Sequence, residues 1–154
     1  MAQDRQYVTF GIEQDVFGIS VDHVKEILDP APVSRVPQAP RHLLGLMDVR
    51  GASIPILDLK VRFGLGATQT TSKTRVIILE NWAGDGATIG IMVDCVFEVT
   101  DLGGLDLQPP PTIGRGWRSD CVTGVGRRDD TFVIVLNLER LIDTGIDVLT
   151  REVA

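Results

Sequence analysis

Chemistry on a protein needs groups that can move a proton, attack a carbon or hold a metal, and this chain carries few of them. Its only histidines are His23 and His42 and its only cysteines Cys95 and Cys121. Nucleophilic catalysis needs a Ser or Cys with a histidine in reach and a third group to orient that histidine. His23 falls on the opening turn of a predicted short helix, a packing position and not the seat of a general base. The two cysteines lie far apart in sequence, with no second cysteine or spaced histidine beside either, so no zinc site or redox motif is indicated and two buried thiols are expected. Gly64-Leu-Gly66, Gly103-Gly104 and Gly124-Val-Gly126 lack the strand-to-helix setting of a phosphate cradle and read as turn glycines. Asp129-Asp130 sit beside Arg127 and Arg128 at a predicted hairpin tip, which is solvated turn chemistry. Trp82 and Trp117 fall in or near loops, as interaction anchors or as covers for a barrel end, and both readings stay open. The expectation is a protein with no catalytic residue, no metal and no cofactor.

Composition is that of a chain that folds. The 154 residues are 44% hydrophobic and 23% charged, ordinary globular usage. A net charge of -6 repels phosphate backbones and anionic lipid, so neither nucleic acid nor membrane is an expected direct partner. The start of the chain shows no signal-peptide pattern, and no apolar run approaches the roughly 18 to 20 residues of a membrane span, so a cytoplasmic location is expected.

The elements that must position any site are short and mostly extended. Alternation of Val8, Phe10 and Ile12 with smaller or polar neighbours predicts a strand over 6–12, and Val16 to Ser20 a second after a polar turn. Asp22 is placed to cap a short helix carrying Val24, Ile27 and Leu28. Prolines at 30, 32, 37 and 40 leave room for an edge strand at Val33 to Val36 at most. Leu46 to Arg50 and Ile54 to Leu57 read as a hairpin around Gly51-Ala52-Ser53, and Asp58 as the cap of a Leu59 to Phe63 helix ending at Gly64. Thr74 to Asn81 and Thr88 to Val93 form a hairpin around residues 83–86. Cys121 to Gly126 and Thr131 to Leu136 form another around residues 127–130, with a helix over Leu138 to Asp143 capped by Asn137 after it.

The halves repeat. Gly18 to Ile27 recurs 72 positions later as Gly90 to Val99 with six identities in ten, pairing His23 with Cys95. Gly45-Leu46 and Ile54 to Phe63 recur at an offset of 79 as Gly124-Val125 and Val133 to Ile142. The longer loop containing Pro109-Pro110-Pro111 and the residues 113–119 absorbs the difference at small entropic cost. The expected fold is all-β, two tandem five-stranded barrels with short connecting helices, in lobes of about 6–66 and 74–143 joined by a linker over 67–73. Barrels this small hold no ligand of their own, which makes the groove between lobes the default functional surface.

These segments also resemble a known family. Gln6 to Ile12, Gly18 to Ile27, Arg35-Val-Pro-Gln-Ala-Pro40, Gly45-Leu-Met-Asp-Val-Arg-Gly51, Ile54-Pro-Ile-Leu-Asp-Leu59, Gly90 to Asp94, Gly124-Val-Gly126 and Leu136-Asn-Leu138 together resemble the CheW family across about 6–143. The resemblance implies SH3-like barrels around a hydrophobic core without catalytic activity. It implies a chemotaxis adaptor that couples the cytoplasmic tip of methyl-accepting chemoreceptors to the regulatory domain of a CheA-type histidine kinase, in arrays at the membrane. A CheW-like module of a larger kinase or of a receiver-bearing adaptor is the alternative, and where the chain starts and stops favours the stand-alone form. Carried over by position, Val24, Glu26, Ile27, Gly45, Arg50, Val93 and Val96 are expected to line or shape the receptor groove, with Glu26 and Arg50 acting together. Asp48 stands where the family commonly has asparagine, an extra charge beside that arginine.

Overall fold

The computed structural model describes residues 6–80, 88–101, 121–128 and 131–142, and these form two sheets with little helix. Trp82, Gly103-Gly104, the prolines 109–111, the loop 113–119 with Trp117, and Asp129-Asp130 lie outside the described residues. The strands are β1 (Gln6–Ile12), β2 (Asp15–Ser20), β3 (Val24–Leu28), β4 (Val33–Ser34), β5 (Leu43–Val49), β6 (Ala52–Asp58), β7 (Arg75–Glu80), β8 (Thr88–Val93), β9 (Cys95–Asp101), β10 (Val122–Arg128) and β11 (Thr131–Leu136). Two short helices, α1 (Leu59–Arg62) and α2 (Leu138–Ile142), come after β6 and β11. No helix among the described residues is long and apolar enough to cross a membrane.

The sheets run β10-β11-β2-β1-β9 and β3-β7-β8-β6-β5-β4. Each therefore draws strands from both sides of the 67–73 connector, which corrects the expectation that each sequence half builds its own lobe. The halves exchange their opening hairpins: β1 and β2 join β9 to β11, while β7 and β8 join β3 to β6. The exchange keeps the repeat intact. Gly18 faces Val135 across the parallel β2–β11 pair, and Gly90 faces Ile56 across the parallel β8–β6 pair. Gly45 opposes Ile56 and Gly124 opposes Val135, each just past a register shift. The backbone N–H of Asp58 donates to the His42 carbonyl at 2.7 Å, and that of Asn137 to the Cys121 carbonyl at 2.7 Å. The sequence offset of 79 is thus a structural equivalence, made of matching ladders.

Local chemistry sets the element ends. The Asp58 carboxylate accepts from the backbone N–H groups of Lys60 and Val61, the capping role expected of it. Asn137 Oδ1 accepts from the Arg140 N–H at 3.2 Å in the same place on α2. The turn between β5 and β6 is shorter than expected, only Arg50 and Gly51, because Val49 pairs directly with Ala52. The edge strand at Val33 covers two residues, and residues 95–101, where no strand was expected, form β9.

The predicted helix at Asp22 is also revised. A single 3₁₀ turn spans Val21–His23, and residues from Val24 run as strand β3 against β7. The helical spacing of Val24, Ile27 and Leu28 comes from a bulge between Val24 and Glu26. Such a bulge inserts one residue and moves the side chains beyond it to the other face. Val24 opposite Leu79 and Ile27 opposite Ile77 share one face, while Glu26 opposite Ile78 and Leu28 opposite Val76 share the other.

Three apolar clusters hold the sheets. The largest lies between them and takes Phe10, Ile19, Leu57, Ile77, Ile91 and Ile134 with α1 and α2 side chains. The opposite face of the second sheet encloses Met47, Ile54, Ile56, Val76, Ile78 and Met92, and that of the first a smaller set of Tyr7, Val133 and Val135. Strands such as β7 are buried on both faces, so Val76 to Leu79 is a continuous apolar run and not an alternation.

Candidate functional site

Arg50 is built into an unusual position. It takes φ 51° and Gly51 φ 89°, the two positive φ values that a two-residue hairpin loop of the primed type requires. Glycine adopts that geometry freely, whereas arginine is strained in it. The Gly51 N–H donates to Asp48 Oδ1 at 2.9 Å, so the residue that departs from the family pattern fastens the turn. Arg50 thus sits at the tip of a fastened turn, with its side chain 66% exposed.

Arg50 Nη2 donates to Glu26 Oε2 in an ion pair. Glu26 is on β3 and Arg50 comes directly after β5, strands separated in the sheet by β7, β8 and β6. A flat sheet would hold them roughly 19 Å apart at the usual strand spacing. Their contact requires the sheet to curl toward closure, with Glu26 on the face that also carries Leu28 and Ile78. The hydrogen bond from Arg50 holds the Glu26 carboxyl below its ordinary value, against partial burial that pushes it up. The same contact raises Arg50. Both groups stay ionised at neutral pH.

The other expected site residues divide. Ile27 is 40% exposed on β3, while Val24 and Val96 are half-buried against the margin of the shared core. Val93 is fully buried in that core and can shape a surface without lining it. Gly45 is buried too, with φ 151°, and a Cβ there would stand 2.2 Å from the Ser34 carbonyl oxygen. Its role is close passage of β4 over β5. Residues not foreseen are Phe97 and Val99, 56% and 51% exposed on β9. The repeat could have found Val99, since it stands where Ile27 stands in the first half.

The titratable groups that could do chemistry are dispersed. Cys121 is buried, Cys95 only half-buried, and neither is in a disulfide among the described residues. His23 Nδ1 and His42 Nε2 are buried atoms without a hydrogen-bond partner among the described residues. Burial, and then the charge of Arg62, lowers the pKa of His42. Among the described residues no three His, Cys, Asp or Glu side chains converge as metal ligands would.

Similarity to known proteins accords with this architecture. The chain is 26% identical over 135 residues to "Chemotaxis protein CheW" of Rhizobium meliloti (strain 1021), covering 88% of this chain and 85% of that one. It is 30% identical over 139 residues to "Chemotaxis protein CheW" of Treponema pallidum (strain Nichols), covering 88% and 81%. It is also 21% identical over 132 residues to "Chemotaxis protein CheV3" of Helicobacter pylori, covering 84% of this chain and 42% of that one. The crystal structure of the scaffolding protein TtCheW from Thermoanaerobacter tengcongensis superposes with a TM-score of 0.81 at 28% identity, covering 94% and 92% of the two chains. The two sheets, the paired turns and the short capped helices are the CheW fold, and the CheW-like domain family matches residues 6–145: the chain belongs to that family.

Proposed function

We propose that this chain is a non-catalytic chemotaxis adaptor that couples methyl-accepting chemoreceptors to a CheA-type histidine kinase. The observation that carries the proposal is the Glu26–Arg50 ion pair on a strained hairpin tip, on the same strand as the exposed Ile27. An amphipathic helical tip needs apolar anchors flanked by a few charges that set its register. Ile27, Val24 and Val96 supply the first and the paired charges the second, with Val93 and Gly45 holding the strands that carry them. The names of the relatives, a chemotaxis protein and a scaffolding protein, support an adaptor over an enzyme. The partners are then the receptor's cytoplasmic tip and the kinase regulatory domain, and the place of work is the cytoplasmic face of receptor arrays, with no nucleic acid and no direct membrane insertion.

A second reading, a CheW-like module within a receiver-bearing adaptor or a larger kinase, is favoured by one fact: the match spans only 42% of the CheV3 relative. The mass of the native protein in lysate separates the two. The adaptor reading is tested with receptor-bearing membranes and kinase, adding the purified protein and monitoring kinase autophosphorylation. Phosphorylation should rise on addition, and the protein alone should neither hydrolyse ATP nor become labelled. Equal kinase activity with and without it contradicts the proposal.

A further inference from the structure

At the end of β5 remote from Arg50 lies a cavity of about 920 Å³ that the groove does not use. Arg35, Arg41, His42 and Arg62 bring cationic or protonatable groups to it, and Leu44 and Val61 an apolar floor. Eight residues of extended chain separate His42 from Arg50, roughly 25 Å, so the two surfaces are distinct. Arg62 is a fixed wall: its Nε donates to the Leu141 carbonyl at 3.1 Å and its Nη2 to Cys121 Sγ at 3.3 Å. Arg35 and Arg41 are exposed and have no ion-pair partner among the described residues. The one acid lining the cavity among the described residues, Asp58, is already committed. Its oxygens accept from Lys60 and Val61 N–H, from Thr68 N–H at 2.9 Å and from the Thr68 hydroxyl at 2.7 Å.

The site is thus electropositive in a chain whose net charge is -6. Carboxylates are repelled by the molecule as a whole and attracted here, and focusing of that kind selects an anionic partner. The volume selects further, because it matches the several hundred cubic ångströms of a peptide-sized or drug-sized ligand and far exceeds a single phosphate. We propose that this cavity is a docking site for an acidic peptide segment of a protein partner, whose carboxylates pair with Arg35 and Arg41 and whose apolar side chains rest on Leu44 and Val61. His42 reports occupancy, because a docked segment changes both the burial of the imidazole and the charge around it, the two causes that set its pKa.

The test titrates the purified full chain with a short peptide of alternating glutamate and leucine while the His42 imidazole is monitored by NMR. Saturable binding and a matching saturable change in the His42 imidazole resonances are expected. Arg35→Gln and Arg41→Gln, both at exposed positions, should each weaken binding about tenfold or more while melting stays as in the wild type. Equal binding of the glutamine counterpart would overturn the proposal, as would wild-type affinity in both arginine variants. Displacement of the peptide by inorganic phosphate at equal concentration would make this a simple anion site and overturn it as well. The readouts need neither receptor nor kinase, so their failure leaves the adaptor proposal standing.

Discussion

Replacing Gly45 with alanine should unfold an edge of this protein, and the cost can be worked from the structure. The new Cβ would stand 2.2 Å from the Ser34 carbonyl oxygen, 2.8 Å from its carbon and 3.3 Å from the Arg35 Cα. All three are backbone atoms, so no rotamer change relieves the clash. The φ of 151° adds strain of order 1 to 3 kcal/mol for a residue with a side chain. Relief requires β4 to leave β5, giving up the Val33–Met47 and Ser34–Leu46 pairing, and each ladder hydrogen bond is worth about 1 kcal/mol. The sum is about 3 to 5 kcal/mol, a large part of the 5 to 15 kcal/mol typical of a folded domain. At about 2 to 4 °C per kcal/mol for a chain of this size, the melting temperature should fall by on the order of 10 °C. Thermal melts by circular dichroism give the size, and amide exchange at Val33 and Ser34 gives the place. Gly51→Ala is the control, since a Cβ there meets nothing within 4 Å and only the turn geometry is strained. Receptor binding by Gly45→Ala should decline only as the fold does. A variant that melts within about 2 °C of wild type would refute the close-passage role, as would one that loses receptor binding while fully folded.

Three further outcomes are expected. His42 has its pKa lowered in the fold by burial and then by Arg62, so its neutral form is favoured; stability should be full above the ordinary histidine value of 6.5 and fall as pH drops below it, a decline that His42→Gln should flatten in pH-dependent urea melts. Asp58→Ala should cost about 2 to 3 kcal/mol by removing the α1 cap and the Thr68 tether, with amide exchange accelerating at Lys60, Val61 and Thr68. Gly90→Ala brings a Cβ to 2.6 Å from Ile56 Cδ1 and should cost about 1 to 3 kcal/mol; Ile56→Val, which removes that atom, should recover part of it, and strictly additive melts would show that the contact is not the cause.

Much of this fold was legible because its local signals act within a few residues. Asp58 and Asn137 cap the helices expected of them, and β1 pairs antiparallel with β2 and β7 with β8, as expected from the strands read on either side of each turn. The internal repeat was legible as well, but not how its copies are shared out. Exchange of the opening hairpins leaves every local pattern unchanged, because β2 and β8 present the same glycine to β11 and β6 whichever half supplies the strand. The strand β3 was hidden by its own bulge, which imposes helical spacing on Val24 and Ile27, and by chemistry at odds with its exposure, with Glu26 half-buried and Ile27 exposed. Such failures of local rules concentrate at functional or strained sites. In the candidate site, the pairing of Glu26 with Arg50 came from the family resemblance, since residues 24 positions apart carry no spacing signal. The burial of Val93 and Gly45 results from packing between sheets and strands, which no single strand reveals.

Charge reversal across the Glu26–Arg50 pair, read out as affinity for a soluble receptor-tip fragment, bears most directly on the adaptor proposal. Arg50 is largely exposed, so Arg50→Glu should leave the melting curve close to wild type. Its affinity for the receptor tip should nevertheless fall about thirtyfold or more, because a charge desolvated under a docked helix and left unpaired is costly. Adding Glu26→Arg restores opposite charges in reversed places and should recover a measurable part of the loss. Near-wild-type affinity for the folded Arg50→Glu variant would contradict the proposed receptor site and return Arg50 to the role of an ordinary turn residue.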